Sequence, residues 1–250
     1  MNSSKKNLLQ WYQELGADYF INETPQDRSK IQQKSVKKEF KENVNLNSSN
    51  IKDIARNFAD KCTTIEELRD IVEKFDKLDI KKYAINTVFG DGNSKSDIML
   101  IGEAPGANED KHGIPFCGQS GKLLDNILAA IKIDRTSCYI TNTIFWRPPA
   151  NRRPTSSEID VCRPFVEKHV ALVNPKIIIL VGSTAVESLL GLKTPMGQLR
   201  NKTFKYTNSY LKDPIDTFVI FHPSYLLRQP SQKKTMWLDI QKIYNFYKDI

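Results

Sequence analysis

Five apolar residues in a row, Ile177-Ile-Ile-Leu-Val181, leave few folds open to this chain. A strand with one wet face alternates apolar and polar side chains. An unbroken run predicts burial on both faces, as in a parallel sheet covered by helices. Ile98 to Ile101 repeats the pattern, and Cys138 to Ile144 and Thr217 to Phe221 supply two further strand candidates. Helical periodicity fills the intervals. Ser120 to Lys132 carries Leu123, Leu124, Ile127, Leu128 and Ile131 on one stripe. Ser156 to Val173, a segment opened by Gly182-Ser-Thr, and Lys234 to Tyr247 read as three more helices. Strand and helix in alternation predict a three-layer α/β/α sandwich with a mainly parallel four-stranded central sheet.

The N-terminal part differs. Ser3 or Ser4 caps an expected helix over Asn7 to Leu15. Residues Glu23 to Asn50 are rich in Lys, Gln, Ser and Asn and read as a mobile basic linker, with a DNA-touching arm as the alternative. A helix is expected over Asp53 to Lys61. Another is expected up to Phe75, with Thr63 as its cap and Glu66 completing a capping box. The expected division is residues 1–50 as helix and linker and 51–250 as the folded domain. Asn86 to Asn93 reads as a strand-like piece ending in a turn, and Lys193 to Asp216 as irregular or hairpin structure.

Charge bears on partners. The chain has 37 Lys and Arg against 29 Asp and Glu, a formal charge of +8, which suits a polyanion. Its four cysteines, Cys62, Cys117, Cys138 and Cys162, form no C-x-x-C pair, so neither a disulfide framework nor a zinc site is expected. The apolar start at Leu8-Leu-Gln-Trp11 is soon interrupted, and nothing approaches the roughly 20 apolar residues of a membrane span. A cytoplasmic, monomeric protein with no membrane partner is expected.

In an open parallel sheet every strand delivers its next residues to one edge, where ligands bind. The strand ending at Gly102 delivers Glu103, the second delivers Asn142, and the last delivers His222. A carboxylate can orient a water. An amide, with paired donor and acceptor, can read the edge of a planar imide. An imidazole can donate to a developing oxyanion. The plainer readings are a helix cap for Glu103, a turn for Asn142 and a local cap for His222. Ser183 reads as a helix cap, because Val-Gly-Ser-Thr-Ala lacks a nucleophile elbow. Phe116, in a glycine-bracketed loop, can stack on a planar ligand or pack in the core. Arg147, Arg152 and Arg153 in a proline-rich loop would face phosphates. Leu226, Leu227 and Arg228 suit an apolar wedge entering a duplex, or the start of a core helix.

Gly102-Glu-Ala-Pro-Gly106, Glu109-Asp110 with Gly113-Ile-Pro-Phe116, Tyr139-Ile-Thr-Asn142, Arg147-Pro-Pro149 with Asn151-Arg152, and His222-Pro-Ser-Tyr-Leu-Leu227 together resemble the family 4 uracil-DNA glycosylases. The resemblance runs from about Asp76 to the C-terminus. It implies hydrolysis of the N-glycosidic bond of uracil in DNA, leaving an abasic site for base-excision repair. Glu103 and His222 would be catalytic, with Glu103 positioning water and His222 stabilising charge on uracil O2. Gly102, Phe116 and Asn142 would bind the base. Arg147, Arg152, Arg153, Leu226, Leu227 and Arg228 would contact DNA, the leucine loop filling the space of the flipped nucleotide.

That family commonly holds a four-iron cluster on four cysteines. Here Cys162 matches one position, while Phe75, Leu78 and Trp146 stand at or near the other three. A cluster normally needs four thiolates. No cofactor and no metal are expected, with those three side chains packing apolar surface instead. Relatives that bond covalently to DNA carry a histidine in the loop after Asn142, and Pro148 to Thr155 has none. Two other readings stay open: a non-catalytic module that binds uracil in DNA, and a small-molecule nucleoside hydrolase.

Overall fold

The chain divides into units of residues 1–41 and 42–250. A computed structural model describes residues 39–249, nearly all of them in the second unit. The expected helix over Asn7 to Leu15 and the first part of the expected linker lie outside the described residues.

Helix α1 (Glu39–Asp60) begins well before Asp53, where the apolar pattern starts. Its last turns bury Ala55 and Ala59. Helix α2 (Ile65–Lys74) is capped one residue later than the sequence pattern indicates. Thr64, not Thr63, is extended and accepts from the Glu67 N–H (3.1 Å), and Glu67 reaches back to the N–H groups of Thr64 and Thr63. Leu68 and Val72, four apart and so on one face, are buried in the core.

The central sheet has six strands. Strands β1 (Asp91–Gly92), β2 (Ile98–Gly102), β3 (Tyr139–Asn142), β4 (Ile177–Val181), β5 (Phe204–Tyr206) and β6 (Ile215–Ile220) stand in the order β1-β3-β2-β4-β6-β5. The four inner strands are parallel, as the apolar runs predict, and β1 and β5 add antiparallel edges. Strand β5 is the ordered part of the stretch read as irregular or hairpin.

Burial on both faces is visible residue by residue. Met99, Ile101, Ile178 and Leu180 join one core with Phe75, Trp146 and Phe165. Ile98, Leu100, Ile177, Ile179 and Val181 join the other, with Leu124, Leu128 and Ile240. The first core lies under α1, α2, α5 (Ser156–Val173) and α6 (Ser183–Leu190). The second lies under α4 (Gln119–Ala129), α8 (Pro223–Arg228) and α9 (Lys233–Lys248). Two short helices, α3 (Ala107–His112) and α7 (Met196–Leu199), sit in the connections. At the N-terminus of α6 the cap is Gly182, and Ser183 is the first helical residue rather than the cap.

Among the described residues no helix is long and apolar enough to cross a membrane.

Candidate active site

Register brings the site together. Gly102 pairs with Asn142 across β2 and β3, and Val181 pairs with Ile220 across β4 and β6. The carboxyl ends of the inner strands therefore deliver Glu103, Asn142 and His222 to one edge, as the strand order requires. Glu103, Asn142, His222 and Phe116 line a common cleft of about 890 Å³.

Asn142 is 2% exposed, and among the described residues nothing hydrogen-bonds its side-chain amide. Buried amides are normally satisfied. An amide left open toward a cleft offers its donor and acceptor to a ligand.

Glu103 is half-buried and does not cap a helix, since the N-cap of α3 is Gly106. Its Oε2 accepts a hydrogen bond from the Thr184 hydroxyl (2.6 Å), and no described residue donates to Oε1. Its backbone carbonyl accepts from the Thr143 hydroxyl (2.6 Å) and the Ile144 N–H, which pins the chain where it leaves β2.

His222 caps α8. Its Nδ1 accepts from the Ser224 N–H (3.2 Å) and lies 2.8 Å from the Ser224 hydroxyl. A backbone amide can only donate, so Nδ1 is the bare nitrogen and Nε2 carries the proton in the neutral ring. Burial holds the imidazole below its ordinary pKa; Glu103 opposes that shift and Arg228 adds to it. The group is thus a neutral N–H donor.

Phe116 is 4% exposed and stacks on His222 with centroids 5.6 Å apart and planes at 30°. Its backbone is left-handed (φ 53°), a conformation that costs a non-glycine residue about 1–3 kcal/mol. Arg135 holds it there. That guanidinium donates to the carbonyls of Pro115 (3.0 Å) and Phe116 (2.5 Å) and is braced by Asp91 and Asp125. Glu109 ties both ends of the same loop by accepting from the N–H groups of Gly106 (3.1 Å) and Gly118 (2.9 Å). Two glycines permit the packing. A Cβ on Gly121 would meet the Phe116 carbonyl, and one on Gly102 would lie 2.5 Å from both Asn142 Oδ1 and Phe116 Cζ. Gly102 therefore forms a floor on which ring and amide can sit.

The chain belongs to the uracil-DNA glycosylase superfamily. The model of that superfamily matches residues 89–241. A type-4 uracil-DNA glycosylase of Thermotoga maritima is 36% identical over 192 residues, 74% of this chain and 97% of the relative. One of Saccharolobus solfataricus is 36% identical over 184 residues, covering 72% and 84%. One of Archaeoglobus fulgidus is 34% identical over 186 residues, covering 72% and 92%. The sandwich expected from the alternation of strand and helix is in keeping with that superfamily.

Of the residues expected at the DNA surface of this uracil-DNA glycosylase relative, Leu226 is placed differently. Leu226 is fully buried in the core under α8, so it is not an exposed wedge. The residues from Pro223 to Arg228 form a helix rather than a loop, and its inner face takes Leu226. Leu227, 43% exposed, and Arg228, which lines the cleft, remain at the surface. The three loop arginines are engaged within the protein. Arg147 donates to Asn151 Oδ1 (2.7 Å). Arg152 lines the cleft and grips Glu158 with two nitrogens (2.6 and 2.9 Å). Arg153 contacts Thr184 and Glu187. Sequence pattern alone assigns no role to Arg135 or Thr184, because their partners Asp91 and Glu103 lie far along the chain.

Among the described residues no three of His, Cys, Asp and Glu come together as a metal-holding group. Phe75, Leu78, Trp146 and Cys162 share one core, with Phe75 stacked on Trp146 (6.5 Å, 18°) and edge-on to Phe165 (5.0 Å). Cys62 lies in this core too, but Cys138 is in the opposite one. The residues present do not fit a four-thiolate cluster.

Proposed function

We propose that the protein is a monofunctional uracil-DNA glycosylase that works without an iron–sulfur cluster. One observation carries the reading: the buried, unpartnered amide of Asn142 opening into a cleft shared with Glu103 and His222. DNA is the substrate, in keeping with the enzymes the chain is similar to and with its +8 charge.

The chemistry divides among these side chains. An extruded uracil enters against Phe116, and the Asn142 amide pairs with its imide edge, accepting from N3–H and donating to O4. Cytosine presents the reverse pattern and leaves the amide mismatched. As the bond between C1′ and N1 breaks, its electron pair passes to the base and charge gathers on O2. The neutral Nε2–H of His222 donates to that oxygen, a contact that strengthens only as charge develops. Glu103, with Oε1 free, orients a water toward C1′ and takes up its proton as the oxygen bonds to the sugar. Glu103 gives its proton back to solvent and the departing anion takes one up, so the products are uracil and an abasic site. No histidine in the Pro148 to Thr155 loop offers a nucleophile for covalent capture.

Flipping costs a few kcal/mol. The exposure of Leu227, next in sequence to the cleft residue Arg228, supports assigning it to fill the vacated stack. Release of uracil from an oligonucleotide, read as alkali-dependent strand scission at the uracil position, tests the reading. Intact DNA would overturn it.

A further inference from the structure

Arg153 reaches toward the active site from an unexpected direction. Its Nε donates to Thr184 Oγ1 (3.1 Å), and its Nη2 meets Glu187 Oε2 (3.1 Å). Thr184 and Glu187 are three apart on α6 and so share a face. Thr184 is fully buried, and its hydroxyl lies 2.6 Å from Glu103 Oε2.

The direction of this chain is fixed by valence. A guanidinium has donors only. Thr184 Oγ1 must therefore accept from Arg153, and its single proton is left for the Glu103 carboxylate. A hydroxyl polarised by a cation and aimed at an anion makes a short, strong bond, as the 2.6 Å distance indicates. The bond occupies Oε2 and restrains the carboxylate, leaving Oε1, to which no described residue donates, for a ligand in the cleft that Glu103 lines. The groups facing Glu103 are then the neutral, titratable His222 across the cleft and the charged Arg153 behind Thr184. The adjoining Arg152, gripped by Glu158, anchors the loop that presents Arg153.

We infer that Thr184 is the positioning residue for Glu103, and that Arg153 serves this carboxylate rather than a DNA phosphate. The inference rests on the glycosylase reading, in which Glu103 orients the attacking water. Thr184→Val keeps the shape and removes the hydroxyl; Thr184→Ser keeps the hydroxyl.

Single-turnover uracil release and DNA binding across a salt series separate the roles. Thr184→Val is expected to slow the step by about 10²-fold, the cost of a misplaced reacting group, with Kd for uracil-containing DNA within about twofold. Thr184→Ser is expected to restore the rate to within about fivefold of wild type. Arg153→Gln is expected to slow the step by about tenfold and leave the salt slope of binding unchanged. A Thr184→Val enzyme at the wild-type rate overturns the inference, and so does a Thr184→Ser enzyme as slow as Thr184→Val. An Arg153→Gln enzyme at the wild-type rate whose salt slope falls by about one overturns it as well, because that is the mark of a lost phosphate contact. If Thr184→Val fails to fold, Arg153→Gln decides alone. Wild-type protein inactive on uracil overturns the glycosylase reading and this inference with it; active wild type with unaffected variants overturns the inference only.

Discussion

The backbone N–H of Ser224 lies 3.2 Å from Nδ1 of His222, and this one contact sets the proton on the other ring nitrogen. Nitrogen NMR at neutral pH should show Nδ1 bare and Nε2 protonated. Because burial lowers the pKa, the ring should titrate below the ordinary value of about 6.5. Below that pH the unfolded chain takes up the proton before the folded one, so this group's share of stability is full above about 6.5 and is lost as the pH falls. A bare Nε2, or a midpoint above 6.5, would contradict the neutral-donor role.

Gly102 should not tolerate alanine. The added Cβ would sit 2.5 Å from Asn142 Oδ1 and Phe116 Cζ, pushing apart the groups that hold the base. Uracil release by Gly102→Ala should fall by about 10²-fold. Stability should drop by about 1–3 kcal/mol, as overpacking does. Wild-type turnover by this variant would show that the amide and ring do not act from these positions.

Neighbouring leucines on α8 should behave oppositely. Leu226→Ala opens a core cavity and should cost about 2–5 kcal/mol in denaturant unfolding. Leu227→Ala should change stability by less than about 0.5 kcal/mol, as surface changes do. It should nevertheless slow release from duplex DNA more than from single strands, where no stack needs filling. Equal losses on the two substrates would remove Leu227 from the wedge role.

The aromatic cluster of Phe75, Trp146 and Phe165 should act as ordinary core. Trp146→Ala should cost about 3–5 kcal/mol. Protein purified without oxygen should hold little iron, whereas about four irons per chain would mean that a cluster is held after all.

The parallel sheet is legible in the sequence because Ile98 to Ile101 and Ile177 to Val181 are too apolar for any strand with a wet face. Glu103, Asn142 and His222 follow from it, since strand ends need no knowledge of side-chain contacts. Strands β1 and β5 do not follow: they are two and three residues long, and pairing with β3 and β6 defines them rather than any pattern of their own. The burial of Leu226 against the exposure of Leu227 turns on the phase of a six-residue helix, too short to show a stripe. Arg153 reads as a phosphate ligand in sequence because its partners, Thr184 and Glu187, lie more than thirty positions away. Thr184 gives no signal for the same reason.

The most direct test is uracil release from a synthetic oligonucleotide by wild type, Glu103→Gln and Asn142→Ala, with alkali revealing abasic sites. Wild type should cut the strand at uracil alone, and each variant should be slower by about 10²-fold or more. No scission at uracil by wild type, or equal scission by all three proteins, would contradict the assignment of the cleft.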